Sequence, residues 1–200
     1  MDFLSRLTQG KWFFWTGRTA FLGYAKLAYG LKVEGAELVP REGGLVVAAN
    51  HFSSLDPPVL GVSVPREIHF MAKKELFERP LMRALVLGLR AFPVDRERSD
   101  LGAIKHSLRL LKDGLAVGIF AQGTRNAGDK EALDGAAFLA ARGKVPLQPA
   151  AIWREGRRFR VRFGEPLTPA GSGREEIGAL TEELMRQINA LLPDEERTGE

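Results

Sequence analysis

Two hundred residues with 44% hydrophobic content allow one domain with a substantial core, and a net charge of +4 is modest. The chain has no cysteine, which excludes disulfides, thiolate metal sites and cysteine nucleophiles. The charge is unevenly placed: between Met1 and Lys32 the cations Arg6, Lys11, Arg18, Lys26 and Lys32 stand against Asp2 alone and account for the whole excess, whereas the tail after Pro193 is acidic.

Residues 3–30 read as one or two helices rich in rings: Phe3, Trp12, Phe13, Phe14, Trp15, Phe21, Tyr24 and Tyr29. Trp and Tyr favour a boundary between apolar and wet phases, and interspersed Lys and Arg favour anionic headgroups. This basic segment therefore suits a lipid surface better than nucleic acid; the rings could instead cap the domain's own core. Arg18 and Lys26 interrupt "KWFFWTGRTAFLGYAKLAYGLKV", so no spanning helix of about 20 apolar residues and no signal peptide is expected.

Further along, "LKVEGAELVP" suggests a strand and turn, "GGLVVAAN" a buried strand, "PPVLGVSV" a helix opened by prolines, and "EIHFMA" another strand. "ELFERPLMRALVLGL" has helical spacing and "RAFPVDR" reads as a short strand. In "SDLGAIKHSLRLLKDG" the stripe Leu101, Ile104, Leu108 and Leu111 predicts a helix capped by Ser99 or Asp100. "LAVGIFAQGTR" is a strand with a glycine turn, "EALDGAAFLAARG" a helix ended by Gly143, and "VPLQPAAIW" a strand. "RRFRVRFGEPL" alternates as an edge or half-exposed strand does, and residues 174–192 form a last amphipathic helix. Strands alternating with helices predict an α/β fold with a mostly parallel or mixed sheet flanked by helices. The expected organisation is a helical membrane-docking segment over 1–32, the main domain over 33–193, and an acidic tail over 194–200.

In such folds ligands gather beyond the carboxyl ends of the strands. Three apolar runs deliver polar groups there: His51 after "LVVAAN", Arg96 after "AFPVD", and Gln122, Gly123, Thr124 and Arg125 after "VGIFA". If those strands are parallel neighbours, the groups share one crevice. Four residues separate His51 from Asp56, enough for a loop to fold the carboxylate back onto the imidazole. The pair reads as a general base with its orienting partner, or as a structural histidine beside a helix-capping aspartate. No Gly-x-Ser-x-Gly elbow supplies a nucleophile, so a substrate hydroxyl would serve. Arg96 and Arg125 suit a phosphate and read equally as surface charges when taken singly. His69 is expected half-buried in its strand, and His106 turned away from the Leu101–Leu111 stripe.

"NHFSSLD", "MAKKELF", "FPVDR", "QGTR" and "VPLQPAAI", in this order, resemble the glycerolipid acyltransferases, especially bacterial lysophosphatidic acid acyltransferases, over about Val33 to Pro166. The resemblance implies transfer of an acyl chain from acyl-CoA or acyl carrier protein to a lysophospholipid hydroxyl, with no cofactor and no metal. It implies His51 as base, Asp56 as its partner, and Arg96, Gly123, Thr124 and Arg125 at the acceptor's phosphate. Lys73 would lie near the site, Pro146 would shape a pocket, and the protein would sit peripherally on the cytoplasmic face of the cell membrane. The chain departs from the family pattern at Gln122, usually glutamate, at Arg90, usually glycine, and at Ala132–Leu133, where Phe-Lys is frequent. Those departures motivate an alternative, a non-catalytic lipid-binding or regulatory homologue.

Overall fold

Leu45, Val46, Val47, Ala48 and Ala49 in strand β2 (Leu45–His51) are all buried, and their side chains alternate between two separate cores. The pleat causes this, since successive Cβ atoms point to opposite faces. A strand with no exposed face needs a sheet covered on both sides. The computed structural model, which describes residues 11–95, 100–122 and 127–194, has that arrangement. Its other strands are β1 (Lys32–Glu34), β3 (Ile68–Lys73), β4 (Phe92–Val94), β5 (Ala116–Gln122), β6 (Leu147–Glu155) and β7 (Arg158–Phe163). Together they form a seven-stranded sheet in the order β1-β7-β6-β2-β5-β3-β4, in which only β6 and β7 pair antiparallel. Helices α1 (Lys11–Tyr29), α2 (Asp56–Ser63) and α3 (Pro80–Gly88) cover one face. Helices α4 (Leu101–Lys112), α5 (Ala127–Gly143) and α6 (Arg174–Leu191) cover the other. The expected α/β class with a mixed sheet is the fold that forms.

Several local expectations need correction. Of the two alternatives for "RRFRVRF", the half-exposed strand is the one that forms and the edge is not: β7 pairs with both β6 and β1, and β1 takes the edge. Its alternation arises because Phe159, Val161 and Phe163 are buried on one face while the arginines occupy the other. Leu101 is 65% exposed, since it is the first residue of α4 and lies ahead of the buried face formed by Ala103, Ser107, Leu110 and Leu111. Asp100 is the cap, its Oδ1 accepting from the Ala103 N–H at 2.9 Å; Ser99 lies outside the described residues. Gly143 closes α5 as a helical residue, and the left-handed turn falls on Lys144 at φ 52°. His69 is half-buried as expected, and His106 is exposed, edge-on to Phe92 at 4.7 Å.

Helix α1 divides its residues between two tasks. Ala25 is fully buried, Phe21, Leu22 and Tyr29 pack on the core, and Tyr29 meets Phe159 edge-on at 5.6 Å. Trp15, Tyr24 and Leu27 are exposed. No helix among the described residues is long and apolar enough to cross a membrane. Arg18, counted above among headgroup-facing cations, instead donates from Nη2 to the carbonyls of Val62 at 2.9 Å and Val64 at 2.7 Å. These lie at the carboxyl end of α2, where the helix leaves carbonyls without internal partners. Burial lowers the Arg18 pKa from its ordinary value. Arg18→Ala is expected to cost about 1–3 kcal/mol of stability, because charged donors are removed from half-buried carbonyls. A denaturant titration of the purified variant measures this, and an unchanged midpoint would return Arg18 to the surface.

Candidate active site

His51 is the last residue of β2, and Asp56 is the first residue of α2. The chain between them must reverse within one tight turn, which the Asp56 N–H bond to the Ser53 carbonyl closes at 3.0 Å. Pro57 and Pro58 follow in the first helical turn, where a missing N–H leaves no partner unmet. Asp56 does not cap its own helix. Its fully buried carboxylate points back into the loop, and Oδ2 accepts from the backbone N–H of Phe52 at 2.7 Å and of Ser53 at 2.8 Å. The same oxygen lies 2.7 Å from His51 Nδ1. An oxygen already receiving two N–H groups is an acceptor, so Nδ1 carries the proton and donates. Nε2 is then the ring nitrogen left to take a proton from a substrate.

The ring rests on a stack of aromatics. His51 and Phe120 have centroids 4.9 Å apart, and Phe120 stacks on Phe70 at 5.6 Å. Phe70 fits because the residue beside it is Gly118: a Cβ there would clash with Cε1 and Cδ1 of the Phe70 ring. Gly118→Ala is expected to cost about 1–3 kcal/mol as an overpacked core substitution and to displace the stack beneath His51. Thermal denaturation and acceptor-dependent turnover should fall together. Full activity in this variant would detach the stack from the site.

The sheet brings some predicted residues to one edge and separates others. β5 pairs with β2 so that Gln122 lies opposite His51. β4 is not a neighbour of either strand; β3 lies between β5 and β4. The carboxyl end of β3 is Lys73, which is exposed at the edge where β4 ends. Lys74 Nζ bonds Asp95 Oδ2 at 2.6 Å and ties the two strand ends. The Asp95 N–H donates to Asp100 Oδ2 at 3.0 Å, so the residues flanking segment 96–99 are bound to each other. Those N–H groups of Asp95 and Ala103 hold the Asp100 carboxyl below its ordinary value. Arg96, Gly123, Thr124 and Arg125 lie outside the described residues. Arg90 keeps a glycine-like backbone, at φ 56°, and its Nε ion-pairs with Glu67 at 3.0 Å. Pro146 is at the wrong end to shape a pocket near His51. β6 runs parallel to β2 from Leu147 opposite Val46, which leaves Pro146 at the amino-terminal edge, beside Thr168 and Pro169. Among the described residues no group of three His, Asp and Glu side chains could hold a metal ion.

Asn50 opens the "NHFSSLD" block, with no role that the sequence alone assigns to it. Its side chain spans β2 to β6, with Nδ2 donating to the Ile152 carbonyl at 2.7 Å and Oδ1 accepting from the Ile152 N–H at 2.7 Å. The β2–β6 ladder ends at Ala49–Ala150, so this amide continues the pairing by one step and fixes the backbone entering His51. A lone amide ending a buried apolar strand is the sequence signal, since a half-buried polar side chain must find partners. Asn50→Ala is expected to cost about 1–3 kcal/mol, because both Ile152 groups lose their partner. It should lower kcat more than it raises KM; the reverse pattern would place Asn50 in binding.

The family model described as Acyltransferase matches residues 30–153. The chain is 38% identical over 176 residues to the 1-acyl-sn-glycerol-3-phosphate acyltransferase of Bacillus subtilis (strain 168), covering 81% of this chain and 88% of that protein. It is 31% identical over 134 residues to the 1-acyl-sn-glycerol-3-phosphate acyltransferase of Streptococcus pneumoniae, covering 61% of this chain and 49% of that one. In fold it resembles the crystal structure of the 1-acyl-sn-glycerophosphate acyltransferase PlsC from Thermotoga maritima, with a TM-score of 0.61, 24% identity, and coverage of 98% of this chain and 80% of the other. The span matched by the family model holds His51, Lys73 and Gln122 on their strand ends and Asp56 at the start of α2, and the chain belongs to the acyltransferase family.

Proposed function

We propose that this protein moves a fatty acyl chain from an acyl thioester to the free hydroxyl of lysophosphatidic acid. The observation that carries the reading is the 2.7 Å contact between His51 Nδ1 and a carboxylate oxygen already held by two backbone N–H groups. Such a pair fixes the imidazole and favours the imidazolium that forms when a proton arrives. The names and similarity of the relatives support the acceptor. In the reaction, His51 Nε2 takes the proton as the hydroxyl oxygen bonds to the thioester carbonyl carbon. The carbon–sulfur bond then breaks, and the proton passes to the leaving sulfur, giving an ester and a free thiol. Arg96 and Arg125, with Gly123 and Thr124, hold the acceptor's phosphate, and Lys73 and Gln122 complete that rim. The β3, β4 and β5 ends at one sheet edge support this assignment. The donor is acyl-CoA or the acylated form of acyl carrier protein. The exposed Trp15, Tyr24 and Leu27 support peripheral docking of α1 on the cytoplasmic face of the cell membrane.

The test is thiol release by the purified protein from an acyl thioester, with and without lysophosphatidic acid. Release that needs the acceptor is expected. Binding of the lipid with no thiol release would favour the non-catalytic reading motivated by Gln122.

A further inference from the structure

The β6–β7 hairpin carries five arginines, Arg154, Arg157, Arg158, Arg160 and Arg162, of which two are used internally. Arg160 bonds Glu155 and the Gly30 carbonyl, each at 2.9 Å, and Arg162 bonds Glu34 at 2.8 Å. Arg154, Arg157 and Arg158 are exposed and form no salt bridge among the described residues. Because β6 is parallel to β2 and Ala150 lies opposite Ala49, the hairpin continues past the level of His51. One buried ring joins it to the site. The Arg154 guanidinium lies 5.1 Å over Phe159, Phe52 stacks on Phe159 at 6.2 Å, and Tyr29 at the end of α1 meets it edge-on. Phe52, which directly follows His51, is 47% exposed, and Leu55 and Leu27 are exposed as well.

We propose that Arg154, Arg157 and Arg158 at the end of the β6–β7 hairpin form a second docking element, which binds anionic phospholipid headgroups and holds the sheet edge that carries His51 against the lipid surface. The proposal rests on the lipid-acceptor reading above. Guanidinium groups match phosphodiester oxygens in a fork and hold their charge at any working pH. The exposed Phe52, joined to Arg154 through Phe159, suits the lipid below the headgroups, which favours a membrane over an acidic carrier protein. The arrangement turns His51 and the exposed Phe52 toward the phase that holds the acceptor.

The experiment is co-sedimentation of the full chain with vesicles of phosphatidylcholine alone and of phosphatidylcholine mixed with phosphatidylglycerol. A basic residue near an anionic surface strengthens binding about fivefold, so R154Q/R157Q/R158Q should bind the mixed vesicles about a hundredfold more weakly. The loss should shrink as salt rises. A matching thermal melt shows the variant folded; if it does not match, R157E at the turn should alone weaken binding about tenfold or more. Wild-type protein that sediments with neither vesicle would overturn the membrane reading itself. Equal binding by wild type and variant would overturn the hairpin's role and leave the membrane reading standing. Unchanged vesicle binding with a raised KM for acyl carrier protein, and not for acyl-CoA, would reassign the arginines to the carrier.

Discussion

Replacement of His51 by alanine is expected to lower acceptor-dependent thiol release by about a thousandfold while the protein stays folded. A positioned general base contributes about a hundredfold to ten-thousandfold, and no other described side chain bonds Asp56 in a way that could replace it. The fold should survive because the imidazole sits at the open end of β2, its side chain 23% exposed, whereas the buried core lies behind it. Removing the ring costs the contact with Phe120 and one hydrogen bond, about 1–2 kcal/mol together. The two interactions of Asp56 Oδ2 with the Phe52 and Ser53 N–H groups remain, so the loop keeps its shape. Turnover and melting temperature measured on one preparation separate the two effects. Near-normal turnover in a folded His51→Ala protein would remove the base from the mechanism and leave the site to binding alone.

Much of this site is legible in the residues themselves. The apolar run ending at Asn50, the histidine that follows and the aspartate before two prolines are local features. Local chemistry determines what they do: a short chain reversal must satisfy its N–H groups, and Asp56 is the group that does so. What local features do not contain is strand order. "AFPVD" reads the same whether its strand lies beside β5 or one place further out, and pairing through the core puts β3 between them. The same reason misplaced Pro146, whose distance from His51 depends on register, and left open whether β7 is an edge or an inner half-exposed strand, which the pairing with β1 decides. The division of α1 is also a tertiary effect. The sequence pattern groups Arg18 with the other cations, but only the docked helix shows that it reaches the end of α2. Asn50 opens "NHFSSLD", but a motif does not say what its amide bonds; the meaning appears when the ladder is seen to stop beside it.

Substitutions at Asp56 divide orientation from charge. The carboxylate is fully buried, Oδ2 accepts three hydrogen bonds, and Oδ1 has no hydrogen-bond partner among the described residues. Asp56→Asn can place its amide oxygen where Oδ2 sits and its NH2 group where Oδ1 sits, so the three donors keep their acceptor and the tautomer of His51 is retained. The NH2 group is then buried where Oδ1 has no partner, so stability should fall by about 1–3 kcal/mol. Lost is the negative charge that favours the imidazolium, and turnover should fall about a hundredfold or more. Asp56→Ala removes the acceptor as well and leaves Nδ1–H and two backbone N–H groups without a partner in a buried turn. That variant should lose about 2–4 kcal/mol of stability in addition to the rate. Denaturant midpoints and acceptor-dependent thiol release, measured on both variants, give the comparison. If Asp56→Asn turns over at the wild-type rate, geometry alone explains the pair, and the carboxylate serves the loop and not the chemistry.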